Sequence, residues 1–278
     1  MGGFKSYNCF LTPTWGEEGF ETAKVLIIVH KYKINFLILY KLVFMQIFYA
    51  PYIAGDTYTL DENESRHLIR VLRMTKGSAV RLIDGKGNLY EGIINDPDQN
   101  KCTIVITGKT TDFEKRNYKL HIALSPLKNP ERFEWFIEKS VEIGIDEITP
   151  LICKNTEKPG IKSDRVNNLI ISAMKQSLKA NKTVLNEPCS FKDFISSDLN
   201  GIRMIAHCDA SRERKKFSEV YSKNANSIIL IGPEGDFTKE EIDSAINNGF
   251  IPVHLGTSRL RTETAGIAAC HSIYFINQ

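Results

Sequence analysis

Beyond residue 118 the chain alternates between short apolar runs and stretches in which apolar residues recur every three or four positions. The runs at 119–124, 147–153, 201–206, 227–231 and 251–255 predict strands. The stretches at 131–143, 164–179, 211–221, 239–248 and 262–276 predict helices between or after them. Strands that are apolar on both faces, with helices interleaved, imply a mostly parallel sheet covered on both sides. In such sheets ligands bind beyond the carboxyl ends of the strands.

From 45 to 116 the pattern differs. Runs at 78–84, 89–95 and 102–108 are rich in β-branched and aromatic residues, and Asp84-Gly85-Lys86-Gly87 and Asn95-Asp96-Pro97-Asp98 separate them. Such punctuation, with one helix inserted, predicts a small, partly closed barrel. The helix is expected over 64–76, with Asn63 as N-cap and Leu68, Val71 and Leu72 forming its apolar stripe. Arg66, Arg70 and Arg73 then share another face, continued by Lys76. A row of cations suits RNA phosphates, and it equally suits a solvated face.

Residues 1–44 do not fit either pattern. The segment 25–44 is apolar but carries His30, Lys31, Lys33 and Lys41, and charges inside a membrane span cost about 2.5–3.5 kcal/mol each. The charge-then-apolar order of a secretory signal is absent. The expectation is that Met45 is the natural start and that 1–44 is a mis-called upstream extension or disordered. A membrane-surface anchor is the competing idea.

Composition narrows the class little: 42% apolar and 25% charged residues describe an ordinary globular chain, and a net charge of +3 does not by itself imply nucleic acid. The six cysteines form no C-x-x-C pair, so neither a disulfide framework nor a zinc site is expected and no metal is assigned. Reduced cysteines point to a cytoplasmic protein.

Two strand ends carry the chemistry. The 227–231 run enters Gly232-Pro233-Glu234-Gly235-Asp236-Phe237, and Thr238-Lys239-Glu240-Glu241 then reads as a capping box. The 251–255 run enters Gly256-Thr257-Ser258-Arg259-Leu260-Arg261-Thr262-Glu263-Thr264-Ala265. Glycines there let the backbone approach a ligand, and each loop adds a carboxylate, Glu234 or Glu263. No G-x-G-x-x-G and no Walker loop is present, which disfavours a dinucleotide or a nucleoside triphosphate.

With Arg66-His67-Leu68, Val71-Leu72-Arg73, Glu131-Arg132-Phe133-Glu134-Trp135, Glu138-Lys139, Glu142-Ile143-Gly144-Ile145, Ile231-Gly232-Pro233-Glu234-Gly235 and Leu260-Arg261-Thr262-Glu263-Thr264-Ala265 in one order, the chain resembles a known family. This is the bacterial 16S ribosomal RNA uracil-N3 methyltransferases of the SPOUT class, and the likeness runs from Met45 to Gln278. It implies an α/β fold, with a trefoil-knotted, mostly parallel sheet over 117–278. A PUA-like RNA-binding β-barrel over 45–116 precedes it. It also implies S-adenosylmethionine as methyl donor, 16S rRNA of the small ribosomal subunit as partner, a homodimer and no membrane.

By the same resemblance the donor site comprises Leu230, Gly232, Glu234, Gly235, Leu255, Gly256, Leu260, Arg261, Glu263 and Ala265. Arg66, Arg70 and Arg73, from their shared helix face, and Lys128 and Arg132 are the expected RNA contacts. Three positions depart from the family pattern: Asp236 replaces a second glycine, Cys153-Lys154-Asn155-Thr156 replaces a Ser-x-Arg element, and Leu178-Lys179 stands where an arginine is common. Uracil N3 must lose its proton, and the charge then spreads onto O2 and O4. Arg261 is the candidate to stabilise that charge, with Glu263 or Glu234 to orient it or take the proton. Two alternatives remain: another SPOUT enzyme acting on tRNA or a different rRNA position, and a PUA-type RNA binder without catalysis.

Overall fold

The computed structural model describes residues 47–278, so the expectations for residues 1–44 lie outside the described residues. The first module is a five-stranded sheet built from β1 (Ile47–Tyr49), β2 (Thr57–Thr59), β3 (Ala79–Ile83), β4 (Leu89–Asp96) and β5 (Thr103–Thr110). Its order is β1-β3-β4-β5-β2, with β1 parallel to β3 and the other pairs antiparallel. Alternate residues Val80, Leu82, Tyr90, Ile94 and Ile104 face inward onto Phe48, Leu60 and Leu68. The β2 edge strand was not expected, because three residues of which two are exposed leave no periodic signal.

The helix expected at 64–76 is shorter and starts earlier. It is α1 (Glu62–Arg66), followed by a widened turn over His67–Val71 in which Leu72 N–H reaches back five residues to His67 O at 3.1 Å. Asp61, not Asn63, caps it, accepting Glu64 N–H at 2.8 Å. Arg73 lies at φ +54°, outside any helix, and Val71 is 64% exposed. The apolar side is carried instead by Leu68, Ile69, Leu72 and Met74, because the widened turn rotates the later residues relative to a regular 3.6-residue spiral.

The second module follows in chain order: β6 (Leu120–Leu124), α2 (Pro130–Ile143), β7 (Glu147–Ile152), α3 (Ser163–Gln176), β8 (Val184–Leu185), β9 (Cys189–Ser190) and α4 (Phe191–Ser196). It continues with β10 (Ile202–Ala206), β11 (Lys215–Lys216), α5 (Phe217–Val220), β12 (Ser227–Ile231), α6 (Lys239–Asn247), β13 (Ile251–His254) and α7 (Thr262–Ile276). The strands pair in parallel in the order β11-β13-β10-β12-β6-β7-β8, and β9 also pairs with β7.

Alternation of side chains divides the interior into two cores. Ile122, Leu124, Met204, Ile229 and Ile231 face one layer with Phe136, Ile170 and Ile273. Ala123, Ile205, Ile228 and Leu230 face the other with Phe191, Phe194 and Ile242. Ile47, Ile83 and Leu89 of the small sheet share the first of these cores, and Lys175 Nζ meets Glu64 Oε1 at 2.5 Å, so the two modules pack together.

Two expected helices are trimmed. The one at 164–179 stops at Gln176, since Leu178 turns to φ +59°. Most of 211–221 is not helical. Asp209 Oδ1 takes the N–H and hydroxyl of Ser211 at 2.9 and 2.6 Å, and this local turn competes with helix initiation. Lys215 and Lys216 then pair with Val253 and His254.

Candidate active site at the carboxyl end of the sheet

Both glycine-marked loops emerge at the carboxyl ends of β12 and β13, which sit on either side of β10. The first loop is tight. A Cβ on Gly232 would lie 3.1 Å from both the Phe237 ring and its backbone nitrogen, and Asp236 N–H closes the turn onto Pro233 O at 2.9 Å. Long-range contacts hold the loop from three sides. Glu234 Oε1 accepts Lys128 N–H at 3.0 Å, from the segment after β6. The side-chain amide of Asn155, after β7, donates to the carbonyls of Gly235 and Asp236 at 3.3 and 3.0 Å. Asp236 Oδ2 accepts Cys208 N–H, after β10, at 2.7 Å.

The second loop is open. Gly256 sits at φ +129° with nothing within 4 Å of where a Cβ would stand. Among the described residues no hydrogen bond engages the peptide groups of Thr257, Ser258, Arg259 or Leu260. Arg261 takes extended geometry as the N-cap of α7, and its carbonyl accepts Ala265 N–H at 2.7 Å.

Between the loops lies a cleft of about 420 Å³ lined by Gly232, Glu234, Leu260, Arg261, Glu263 and Ala265, with Arg132, Ile231 and Asp236 completing the wall. A second cleft of about 610 Å³ adjoins it, shares Cys208, Asp236 and Arg259, and adds Arg214, His254 and Gly256. Six of the ten residues expected at the donor site therefore line one cleft, and Gly256 lines its neighbour. Leu230 is fully buried on the far face of β12, and Leu255 packs against the core. Gly235 is exposed beside Asn155.

Charge in the first cleft is arranged around α7. Glu263 is buried in its first turn, where the unpaired N–H groups of a helix favour an anion. The guanidinium of Arg132 lies 3.8 Å from it. Arg132, expected as an RNA contact, thus belongs to the wall of the cleft. Arg261 is exposed, and among the described residues it forms no ion pair. His207, next to the cleft on β10's extension, is 4% exposed with neither ring nitrogen hydrogen-bonded, and burial pushes its imidazole below the usual histidine range.

The other cations expected as RNA contacts do not line the two clefts. Lys128 pairs with Glu157 at 2.9 Å. Arg66 pairs with Glu62, so the row of cations is partly neutralised, and Arg70 donates to Gln99 Oε1 at 2.6 Å. Arg73 forms no ion pair among the described residues. Sequence reasoning missed Arg259, Cys208, Arg214 and His254 as cleft residues. Only Asp236 and Asn155 gave a signal, as departures from the family pattern. Among the described residues no three His, Cys, Asp or Glu side chains are grouped to hold a metal ion, and no helix is long and apolar enough to cross a membrane.

Residues 114–274 match the model of the RNA methyltransferase domain family, and residues 60–107 match that of the RNA methyltransferase PUA domain. Ribosomal RNA small subunit methyltransferase E of Synechocystis sp. is 29% identical over 247 residues, covering 86% of this chain and 78% of the relative. The protein of the same name from Mesomycoplasma hyopneumoniae is 33% identical over 178 residues, covering 62% and 75%. A probable rRNA-methyltransferase from Porphyromonas gingivalis superposes with a TM-score of 0.79 at 40% identity, over 84% of this chain and 98% of that one. A methyltransferase from Legionella pneumophila in complex with the bound cofactor SAM gives 0.74 at 27% identity over the same shares. The first match alone spans more than half of the sequence, and the chain belongs to the RNA methyltransferase family, with a PUA domain ahead of its α/β domain.

Proposed function

We propose that this protein transfers a methyl group from S-adenosylmethionine to N3 of a uridine in the 16S rRNA of the small ribosomal subunit, as a homodimer. The names of its relatives support the substrate class. The observation that carries the reading is the cleft between Gly232 and Ala265, which offers unpaired peptide groups, apolar walls and carboxylates in one place. These fit the donor: Leu260, Ile231 and Ala265 suit the faces of an adenine. The peptide groups of 257–260 suit its edge, and Glu234 and Glu263 suit a molecule carrying positive charge. The expected site set of Leu230, Gly232, Glu234, Gly235, Leu255, Gly256, Leu260, Arg261, Glu263 and Ala265 is retained, with Leu255 acting through backbone groups and Leu230, whose backbone is paired to β10 and β6, acting only by seating the strand that leads into the loop.

S-adenosylmethionine supplies an electrophilic methyl group on a sulfonium centre. The protein's task is to hold N3 in line with it and to stabilise the uracil as its proton leaves, and positioning of this kind provides much of the acceleration. Arg261 is exposed at the mouth of the cleft, where its guanidinium can face O2 or O4. Glu263 holds Arg132 and orients the wall. Arg73 and the neighbouring Arg66 and Arg70 contact RNA phosphates, and Lys128 and Arg132 meet RNA nearer the site. The division of the chain at 45–116 and 117–278 is supported by the two separate sheets.

The second copy would seat on α7, where Phe275 is 71% exposed and stacks on His271 with ring centroids 6.1 Å apart. Light scattering should give twice the chain mass, and a fully active monomer would overturn the dimer. The enzymatic reading is tested by titrating the protein with S-adenosylhomocysteine. Saturable binding that is lost in Gly232→Trp supports it. An absence of binding by the intact protein would leave only an RNA binder.

A further inference from the structure

Asp236 occupies a position whose geometry demands an explanation. It lies at φ +61°, a conformation that non-glycine residues adopt rarely and that Asn and Asp tolerate best. Both carboxylate oxygens are engaged by backbone N–H groups, Oδ2 by Cys208 at 2.7 Å and Oδ1 by Phe237 at 2.8 Å. The side chain therefore cannot swing away. It lines both clefts, and it sits on the loop that carries Gly232 and Glu234.

Its charge is not cancelled locally. Among the described residues Asp236 forms no ion pair. Arg212 is taken by Asp243 and Asp209. Arg214 donates to His207 O at 2.6 Å, and Arg259 lines the clefts without reaching the carboxylate. Burial pushes the imidazole of His207 below the usual histidine range against the opposite pull of Asp236, and neither ring nitrogen is hydrogen-bonded to the carboxylate. A fixed anion in a partly enclosed cleft acts on any charge nearby far more strongly than in water.

We propose that the Asp236 carboxylate distinguishes the cationic methyl donor from the neutral product, so that the product is released once its sulfonium charge is gone. The proposal rests on the donor reading of this cleft. Loss of the methyl group turns a sulfonium into a thioether and leaves the rest of the molecule unchanged. An anion held at the wall thus favours donor over product without contacting the nucleobase. A glycine at this position would take the same backbone conformation without strain but would lack that selectivity. Asp236 is on this account a specificity-determining residue.

Two substitutions separate charge from anchoring. Asp236→Asn keeps an oxygen for Cys208 N–H and tolerates positive φ; it loses the charge and the acceptor for Phe237 N–H, so the long-range anchor stays. Asp236→Gly removes the charge and both hydrogen bonds. Calorimetric titration with S-adenosylmethionine, S-adenosylhomocysteine and a donor analogue bearing an ammonium in place of the sulfonium reads the result. In Asp236→Asn, affinity for both cationic ligands should fall roughly three- to tenfold while that for S-adenosylhomocysteine stays within about twofold. In Asp236→Gly the preference for cationic ligands should fall equally, with all three bound more weakly. That variant reads the ratio even where the Asn protein fails to fold. An unchanged preference in either variant overturns the proposal. Failure of the unsubstituted protein to bind any of the three overturns the donor reading itself.

Discussion

Replacing Gly266 by Ala is a demanding test of how α7 is seated, because two effects of known size oppose each other. On helix propensity alone the change should stabilise by about 1 kcal/mol, since glycine is a poor residue inside a helix. A methyl group at this position, however, would stand 2.6 Å from Cδ2 and Cε2 of Phe136 and 2.7 Å from Cδ1 of Leu124. Favourable carbon–carbon contact lies at about 3.5–4.0 Å, so roughly 1 Å of room is missing. Phe136 and Leu124 are fully buried in the core between α2 and β6 and have nowhere to retreat.

Overpacking of this kind costs about 1–3 kcal/mol, and the clash on three rigid atoms belongs at the upper part of that range. The net expectation is a loss of about 1–2 kcal/mol, which for a domain of this size lowers the melting temperature by roughly 2–8 °C. Thermal denaturation followed by circular dichroism measures it. Binding of S-adenosylhomocysteine should weaken as well, because Glu263 and Arg261 lie within one and a half turns of the displaced residue. A melting temperature that rises would refute the packing argument and return Gly266 to the status of an ordinary helix position.

Three further outcomes are expected. Arg261→Ala should lower turnover by roughly 10²–10³-fold while S-adenosylhomocysteine binding changes little; Glu234→Ala, which releases Lys128 N–H, should instead weaken donor binding and keep turnover at saturating donor, and steady-state kinetics with calorimetry distinguish the two. Arg73→Ala should make the salt dependence of RNA binding shallower by about one phosphate contact, and Arg66→Ala by less because Glu62 already pairs with it, as fluorescence titration across salt concentrations would show. Burial holds the imidazoles of His121 and His207 below 6.5, the value of an ordinary histidine, so the unfolded chain binds more protons just under that pH. Stability contributed by the two neutral rings is then complete above pH 6.5 and is lost as pH falls below it; urea unfolding at pH 7.5 and 5.5 should show this loss, and His121→Gln with His207→Gln should flatten it.

The strand–helix alternation of the larger module was legible because its strands are uninterrupted apolar runs and its long helices bury one face each. The two glycine-marked loops were legible for a related reason: a turn that must admit a ligand needs residues chosen for backbone freedom. Strand order was not legible from periodicity. Nothing in the local pattern of Ser227–Ile231 places it between Ile202–Ala206 and Leu120–Leu124. The helix at 64–76 was misjudged because a single five-residue turn, visible only as Leu72 N–H reaching His67 O, shifts every later side chain. In the site, Arg132 and Asp236 illustrate the limit. Arg132 meets Glu263 across 131 positions of sequence, and Asp236 reaches Cys208 across 28, so their roles arise from topology and not from spacing.

The central claim is that this protein methylates N3 of a uridine in small-subunit rRNA. The purified protein, S-adenosylmethionine and 30S subunits from a strain deleted for the enzyme should be incubated together, and the 16S rRNA digested and analysed by nucleoside mass spectrometry. The account predicts that 3-methyluridine appears with the donor and not without it, and that Arg261→Ala suppresses it. A methylated nucleoside other than 3-methyluridine, or no methylation of the 16S rRNA by a protein that binds the donor, would contradict it.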